Sequence, residues 1–457
     1  MNRKFLQAAA LILGLLATQA CSDAIDETPP GVDPNPTPNP NPPGPKDPEP
    51  LPNDPDECPD NATWDSADER CVCDNGFIHE GAQCVEPIPK KACLLISSTD
   101  WATSGSLSIY DIEAEELLSD VTTYHQDSVI QVLNDEIYVV QRMYGDAVMK
   151  LDDSDHYAIL WEESIRLQGL SAPNPTDMVR VGEYLYLPLY NDGRIVQANV
   201  NPLTSGAFLT GLQARITPAS WEGAFANLNR LTVENGVLFG LTEGLGDDWS
   251  CGSMNSGSPN RSRIYAFDPE TLEPKAVFAN GQTYVELNFC NATGWVPMGD
   301  GKYLVHSLGN YRSINGTDND GGLEIIDLAA PTTPVVIAAE EADFGPVDIF
   351  GAHIVDGDVY VTLIDENYLP IYLHRVDTSG TGRWSLESDA HDRGHLYDGY
   401  IGAVQGVGDE LFVVNRDWGS ESVVRIDRYT GEPTGDPILT AIAPETLNIF
   451  YREESCW

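Results

Sequence analysis

From about residue 92 to residue 457 one unit returns again and again: a short strand, a tight turn of Gly, Asn or Asp, and a β-rich second strand. It reads VIQVLNDEIYVV, DMVRVGEYLYLP, RLTVENGVLFGL, GWVPMGDGKYLVH, AHIVDGDVYVTL and AVQGVGDELFVV. Such turns are the chemistry of two-residue β-hairpins, where positive φ is needed at the corner. A loop and a third strand follow each hairpin, and one further third strand precedes the first of them. Near the end of each third strand stands Asp or Asn: Asp111, Asp152, Asn199, Asp268, Asp327, Asp377 and Asp427, spaced 41, 47, 69, 59, 50 and 50 residues apart.

A strand-rich repeat of this length, without amphipathic helices, points to a β-propeller, in which each repeat is one radial sheet. There are seven third strands but six complete leading hairpins. The first unit, opening at CLLISSTD, lacks its leading strand, and TLNIFYREESC near residue 456 holds a strand without a unit. The expectation is an all-β, seven-bladed propeller over 92–457, closed when the C-terminal strand completes the first blade. Closure removes the sheet edges that invite aggregation. Cys93 begins the incomplete unit and Cys456 ends the donated strand, so a disulfide between them is predicted, worth several kcal/mol before strain. Cys251 lies in a loop after a second strand and Cys290 just before the next leading strand. The two are paired on that geometry and partly by elimination. The repeats resemble the YVTN-type and related cell-surface propellers of bacteria. That resemblance implies seven blades and an extracytoplasmic location, but no single activity.

What precedes the ring reads as an address. Residues 1–20 carry Arg3 and Lys4 and then an apolar run from Phe5 to Ala17, too short to span a bilayer and fitting a secretory signal. The run closes at Thr18-Gln19-Ala20-Cys21, which resembles a bacterial lipoprotein cleavage site and implies a lipidated Cys21; plain cleavage leaving a free thiol is the alternative. Ser22 is compatible with an outer-membrane destination. Within the linker 21–57, Pro29 to Pro55 holds 13 prolines in 27 residues. It is either a semi-rigid polyproline stalk reaching ~80 Å at ~3.1 Å per residue, or a linker of no required length. Residues 58–86 contain Cys58, Cys71, Cys73 and Cys84, with Cys71-Val72-Cys73, Gly76-Phe77 and Gly81 between. This stretch resembles the C-terminal half of an EGF-like module. Four cysteines allow three pairings. The resemblance implies Cys73 with Cys84, leaving Cys58 for Cys71, and a zinc site is the rival reading.

Charge excludes several partners. Asp and Glu number 71 against 25 Lys and Arg, a net −46, which rules against nucleic acid and against a basic patch on anionic lipid. The membrane partner would be reached through the lipid anchor. With seven Lys against eighteen Arg, the acidic surface suits either salty or calcium-bearing water or simple solubility.

Chemistry is harder to find. The chain has no G-x-S-x-G elbow, H-E-x-x-H or P-loop. The starts of the leading strands offer Asp127, Asp177, Asn229, Arg230, Asn291 and His353 around the central channel, and nearby loops add Arg142, Tyr144, Tyr190, Arg416 and Trp418. Aromatics interleaved with Arg and Asp suit a polar ligand such as a glycan, a peptide or an anionic chelate; capping of blade packing is the plainer role. Two long loops, 241–262 and 308–322, are placed on the same face. The second holds Asp318, Asn319 and Asp320, a calcium-type cluster of oxygens; the first holds Asp247, Asp248 and Trp249. His391 and His395 have a metal-ligand spacing but flank a loop-like Asp-Arg-Gly. The sequence favours a surface lipoprotein with a non-enzymatic ligand- or partner-binding propeller and no cofactor beyond calcium. The alternative is a metal-dependent, lactonase-like hydrolase or a quinone-type oxidoreductase on the same ring.

Overall fold

The computed structural model describes Cys58, residues 62–65, 70–73, 78–80 and 83–85, and residues 90–457 except 167–172, 201–202, 205, 217–225, 246–250, 252–259, 311–319, 346, 365–369, 380–382, 388–394 and 454. The signal segment, Cys21 and the proline linker therefore lie outside the described residues. The chain divides into two units, 1–87 and 88–457. In the first, Ala62–Asp65 pairs with Arg70–Cys73 and Ile78–Glu80 with Gln83–Val85. Disulfides Cys58–Cys71 and Cys73–Cys84 tie this region.

The second unit is a seven-bladed propeller of antiparallel sheets. Its leading strands are Ala443–Arg452 (blade 1), Ser128–Leu133, Val179–Val181, Leu228–Glu234, Ala292–Gly299, Asp348–Val355 and Ile401–Val407 (blade 7). Each pairs outward with a second strand, in the same order Lys91–Thr99, Glu136–Gln141, Tyr184–Leu189, Val237–Thr242, Lys302–Ser307, Asp358–Ile364 and Glu410–Asn415. The hairpin turns have the backbone their residues require. Asn134-Asp135, Asn235 with Gly236, Asp300 with Gly301 and Asp356 with Gly357 all hold positive φ at both positions, the twist that suits a tight hairpin.

Six third strands end on their marker residue and the remaining one, Arg263–Phe267, ends one residue before Asp268, and the markers have a structural job. The carboxylate of Asp111 accepts from the amide of Ala114, Asp152 from Ser154, Asp327 from Ala330, Asp377 from Ser379, and Asp427 from both Tyr429 and Thr430. These are Asx-type turns that start the return to the outermost strand. The outermost strands range from ten residues in blade 1, Glu116–His125, down to Ser385–Leu386 in blade 6. In blade 7 only the bridges Val423 to Ile438 and Ile426 to Pro433 mark one among the described residues.

Closure is as the sequence implied. Ala443–Arg452 pairs with Lys91–Thr99, putting Ile449 opposite Leu94 and Phe450 opposite Cys93, and Cys93 is bonded to Cys456. Seven apolar clusters fill the seven gaps between neighbouring blades, including one that joins blade 7 to blade 1 through Phe412, Val414, Leu94 and Ile96. The third residue after the hairpin turn is their recurring plug: Tyr138, Tyr186, Phe239, Tyr360 and Phe412 are all fully buried. Arginines staple the seams as well. Arg425 of blade 7 reaches Glu115 at 2.8 Å and the Tyr110 hydroxyl at 3.0 Å in blade 1, and Arg428 reaches Asp356 of blade 6 at 2.7 Å.

Candidate functional site

The start of each leading strand and the end of each second strand lie on one face of the ring. Both long loops leave second strands (Val237–Thr242 and Lys302–Ser307) on that face. Cys251–Cys290 fastens the first of them to the entrance of blade 5.

At this face five leading strands slip register within their first three residues, leaving Asn229, Thr293, Phe350, Glu445 and the Gly402-Ala403 pair as bulges. A bulge re-aims side chains and frees a carbonyl from its ladder. Here the preceding blade takes up the freed carbonyls. The Thr176 hydroxyl donates to the Asn229 carbonyl at 2.7 Å, the Asn229 amide to that of Thr293 at 2.9 Å, and the Thr293 hydroxyl to that of Phe350 at 3.4 Å. Arg416 Nη2 donates to the Glu445 carbonyl at 3.3 Å. The result is a collar of side-chain-to-carbonyl bonds handing on from blade to blade.

Two charged groups sit in the collar. Between blades 7, 1 and 2, Glu445 is 8% exposed. Its carboxylate lies 3.3 Å from Arg416 Nη2 and 3.9 Å from Arg142 Nη2. Arg142 Nε also donates to Asp127 at 2.7 Å. Burial raises the Glu445 pKa, and the two guanidinium groups oppose it. Between blades 3, 4 and 5, Glu243 is 7% exposed. It accepts from the Tyr190 hydroxyl and, at 3.1 Å, from Asn229 Nδ2. Burial lifts its carboxyl from 4.5 to about 7, against the Tyr190 bond and the charge of Arg230. Asp177 accepts from the Leu231 amide at 2.8 Å and Gln131 at 3.1 Å; burial raises its pKa too. His306 Nδ1 meets the Thr293 hydroxyl at 2.9 Å, and His353 Nε2 meets Thr362 at 3.2 Å. Burial pushes both imidazoles down, to about 3 and about 4, so they are neutral at pH 7.

Glycine makes these approaches possible. A Cβ on Gly294 would stand 2.7 Å from His306 Nε2, and one on Gly402 2.5 Å from Arg416 Nε.

Aromatic groups crown the collar. The Arg416 guanidinium lies 5.2 Å from the Trp101 ring centre and 5.9 Å from that of Tyr400. Trp418, two residues along the same loop, is 92% exposed and Trp101 46%. They are the two exposed tryptophans among the described residues. Tyr144 is exposed on the adjoining loop of blade 2.

Of the residues expected from sequence, Asp127, Arg142 and Arg416 meet through Glu445, while Tyr190, Asn229 and Arg230 gather at Glu243. Arg230 Nη1 donates to the Thr176 carbonyl at 3.2 Å. Asn291 is turned inward, its Nδ2 donating to the Gly309 carbonyl 2.9 Å away, so it serves the loop framework. Asp320 is buried and accepts the Asn310 amide at 2.9 Å; Asp318 and Asn319, like Asp247, Asp248, Trp249 and His391, lie outside the described residues. No group of three or more His, Cys, Asp or Glu able to hold a metal occurs among the described residues. Sequence reasoning missed Glu243, Glu445, His306, Trp101 and Tyr400.

No protein-family model matches the chain, and no curated protein matches it. Solved structures do. A candidate 6-phosphogluconolactonase from Bacteroides fragilis aligns at 14% identity over 79% of this chain and 98% of that one, with a TM-score of 0.53. A protein from Lactobacillus plantarum aligns at 10% identity over 79% and 99%, with a TM-score of 0.50. The likeness is one of fold. At such identities it says nothing about activity.

Proposed function

We propose that the propeller is a non-enzymatic binding module that captures a neutral polar ligand, a glycan before a peptide, on the aromatic crown beside blades 7, 1 and 2. The observation that carries this is the Trp101–Arg416–Tyr400 stack with Trp418 exposed on the same loop. Exposed indole faces stack on the C–H faces of sugars, and flanking Asp and Arg groups bond hydroxyls. A net charge of −46 disfavours an anionic ligand such as a ferric chelate. The charged groups below the crown are already paired with one another, which suits a preorganised floor. The test is a glycan array followed by calorimetry on hits. Trp418→Ala and Trp101→Ala should each weaken binding at least ~10-fold, the scale of losing one aromatic anchor; hits that bind both variants like the wild type would refute the site.

A second reading rests on one group. Glu243, poised near neutrality between Tyr190 and Asn229, has the protonation behaviour of a general acid or base, and the fold neighbour from Bacteroides fragilis is a candidate lactonase. Hydrolysis of δ-gluconolactone by the wild type, abolished in Glu243→Gln, would favour it over binding alone. In either case the reading of the chain's first 86 residues stands as part of the proposal: a lipidated Cys21, a proline stalk and an EGF-like module that hold the ring outside the cytoplasm at a membrane surface, the outer membrane or cell surface.

A further inference from the structure

Blade 6 differs from the others at its outer edge. Its third strand, Pro370–Asp377, pairs with two short segments in turn, Ser385–Leu386 and His395–Asp398. The second pairing sets His374 directly opposite His395. Their facing nitrogens, His374 Nε2 and His395 Nδ1, are 3.0 Å apart with the rings perpendicular. On its far side His395 Nε2 lies 3.0 Å from Asp398 Oδ1. Tyr372 walls the pair, its ring edge-on to both imidazoles. His395 is 28% exposed, so solvent reaches the site.

We propose that His374 and His395 form a two-imidazole site for a divalent transition metal, with Cu2+ preferred over Zn2+. Asp398 Oδ1, 3.0 Å from His395 Nε2, favours the Nε2–H tautomer of His395, which leaves its Nδ1 lone pair available to a metal. This is the carboxylate–histidine arrangement that orients metal-bound imidazoles. In the metal-free protein a single proton bridges the two facing nitrogens. Metal binds beside the line joining the two nitrogens, not on it, when His374 adopts its Nδ1–H tautomer and the rings tilt so that both lone pairs converge on it; no net proton is released. The spacing fits. Two nitrogens bound at ~2.0–2.1 Å stand ~2.9 Å apart at a right angle and ~3.3 Å apart at a tetrahedral one. The observed 3.0 Å is close to the right-angle pair of tetragonal Cu2+, which also leads the affinity order for nitrogen ligands. Solvent fills the remaining positions, so loading is reversible. This site is separate from the channel mouth and does not depend on the binding proposed there.

The test uses the full-length, untagged protein titrated with CuCl2 and ZnCl2 by calorimetry, with electron paramagnetic resonance of the Cu2+ form. One equivalent should bind, with superhyperfine coupling to two imidazole nitrogens. That wild-type spectrum needs no variant, and coupling to fewer than two would overturn the proposal. His374→Gln and His395→Gln should each lose at least ~10-fold in affinity, and Asp398→Asn should lose ~10–100-fold, the usual effect of removing an outer carboxylate. His391→Gln should bind as the wild type does. Binding that survives both His374→Gln and His395→Gln, or is lost only in His391→Gln, sinks the assignment.

Discussion

Glu243 ionises near neutral pH, in the collar at the centre of the candidate site. With its carboxyl raised from 4.5 to about 7 by burial, the folded state holds the proton more tightly than the unfolded chain. Its contribution is fully present below ~4.5 and is lost as pH rises through about 7, a swing on the order of 3 kcal/mol. Asp348, raised to about 6, and Glu341, raised to about 9, push the same way. Buried His306 and His353, held down to about 3 and about 4, push the other way only below about 6.5, so melting temperature should fall between pH 7 and pH 8, and fall less in Glu243→Gln; equal slopes for the two proteins would contradict the burial argument. A steric prediction concerns Gly402, whose added Cβ would meet Arg416 Nε at 2.5 Å and Val414 Cγ1 at 2.8 Å. Gly402→Ala should cost ~1–3 kcal/mol in chemical denaturation, and should weaken ligand capture by moving Arg416 away from Trp101. Asp127, Arg142 and Arg416 were legible in the sequence because they flank strand ends whose hairpin turns are unmistakable. Glu445 was not, since it stands in the leading strand that the chain supplies last, separated from the rest of blade 1 and without a hairpin turn to mark it.

At the scale of elements, the leading and second strands could be read directly because turns such as Asn235-Gly236 and Asp356-Gly357 announce them. Several outermost strands could not. With only two or three residues in blades 3, 4 and 6, they are too short to show a period of two. The repeated Asp near the end of each third strand was visible as a marker, and its purpose became clear only from the backbone amides it accepts. Closure by Ala443–Arg452 carries its own prediction. The Cys93–Cys456 bond spans 363 residues, so replacing both cysteines by Ala should lower stability by several kcal/mol, ~6 before strain. The strand pairing and the blade 7 to blade 1 cluster should keep the ring shut in that variant. A guanidinium titration that showed no change in midpoint would argue that the bond contributes nothing to closure.

The whole molecule carries 71 acidic against 25 basic side chains, and many of its arginines are committed to seams between blades. The remaining carboxylates repel one another across the surface, and salt screens that repulsion over ~10 Å at 0.1 M. The melting temperature should rise between 10 mM and 0.5 M NaCl; a fall would mean that the seam ion pairs outweigh the excess. Ring closure also sets a timetable for biogenesis. Three strands of blade 1 are synthesised first, and their partner Ala443–Arg452 follows all six other blades. Until that stretch has been made the earliest sheet stands with a bare inner edge, so the circle closes only after strands of all seven blades have been synthesised.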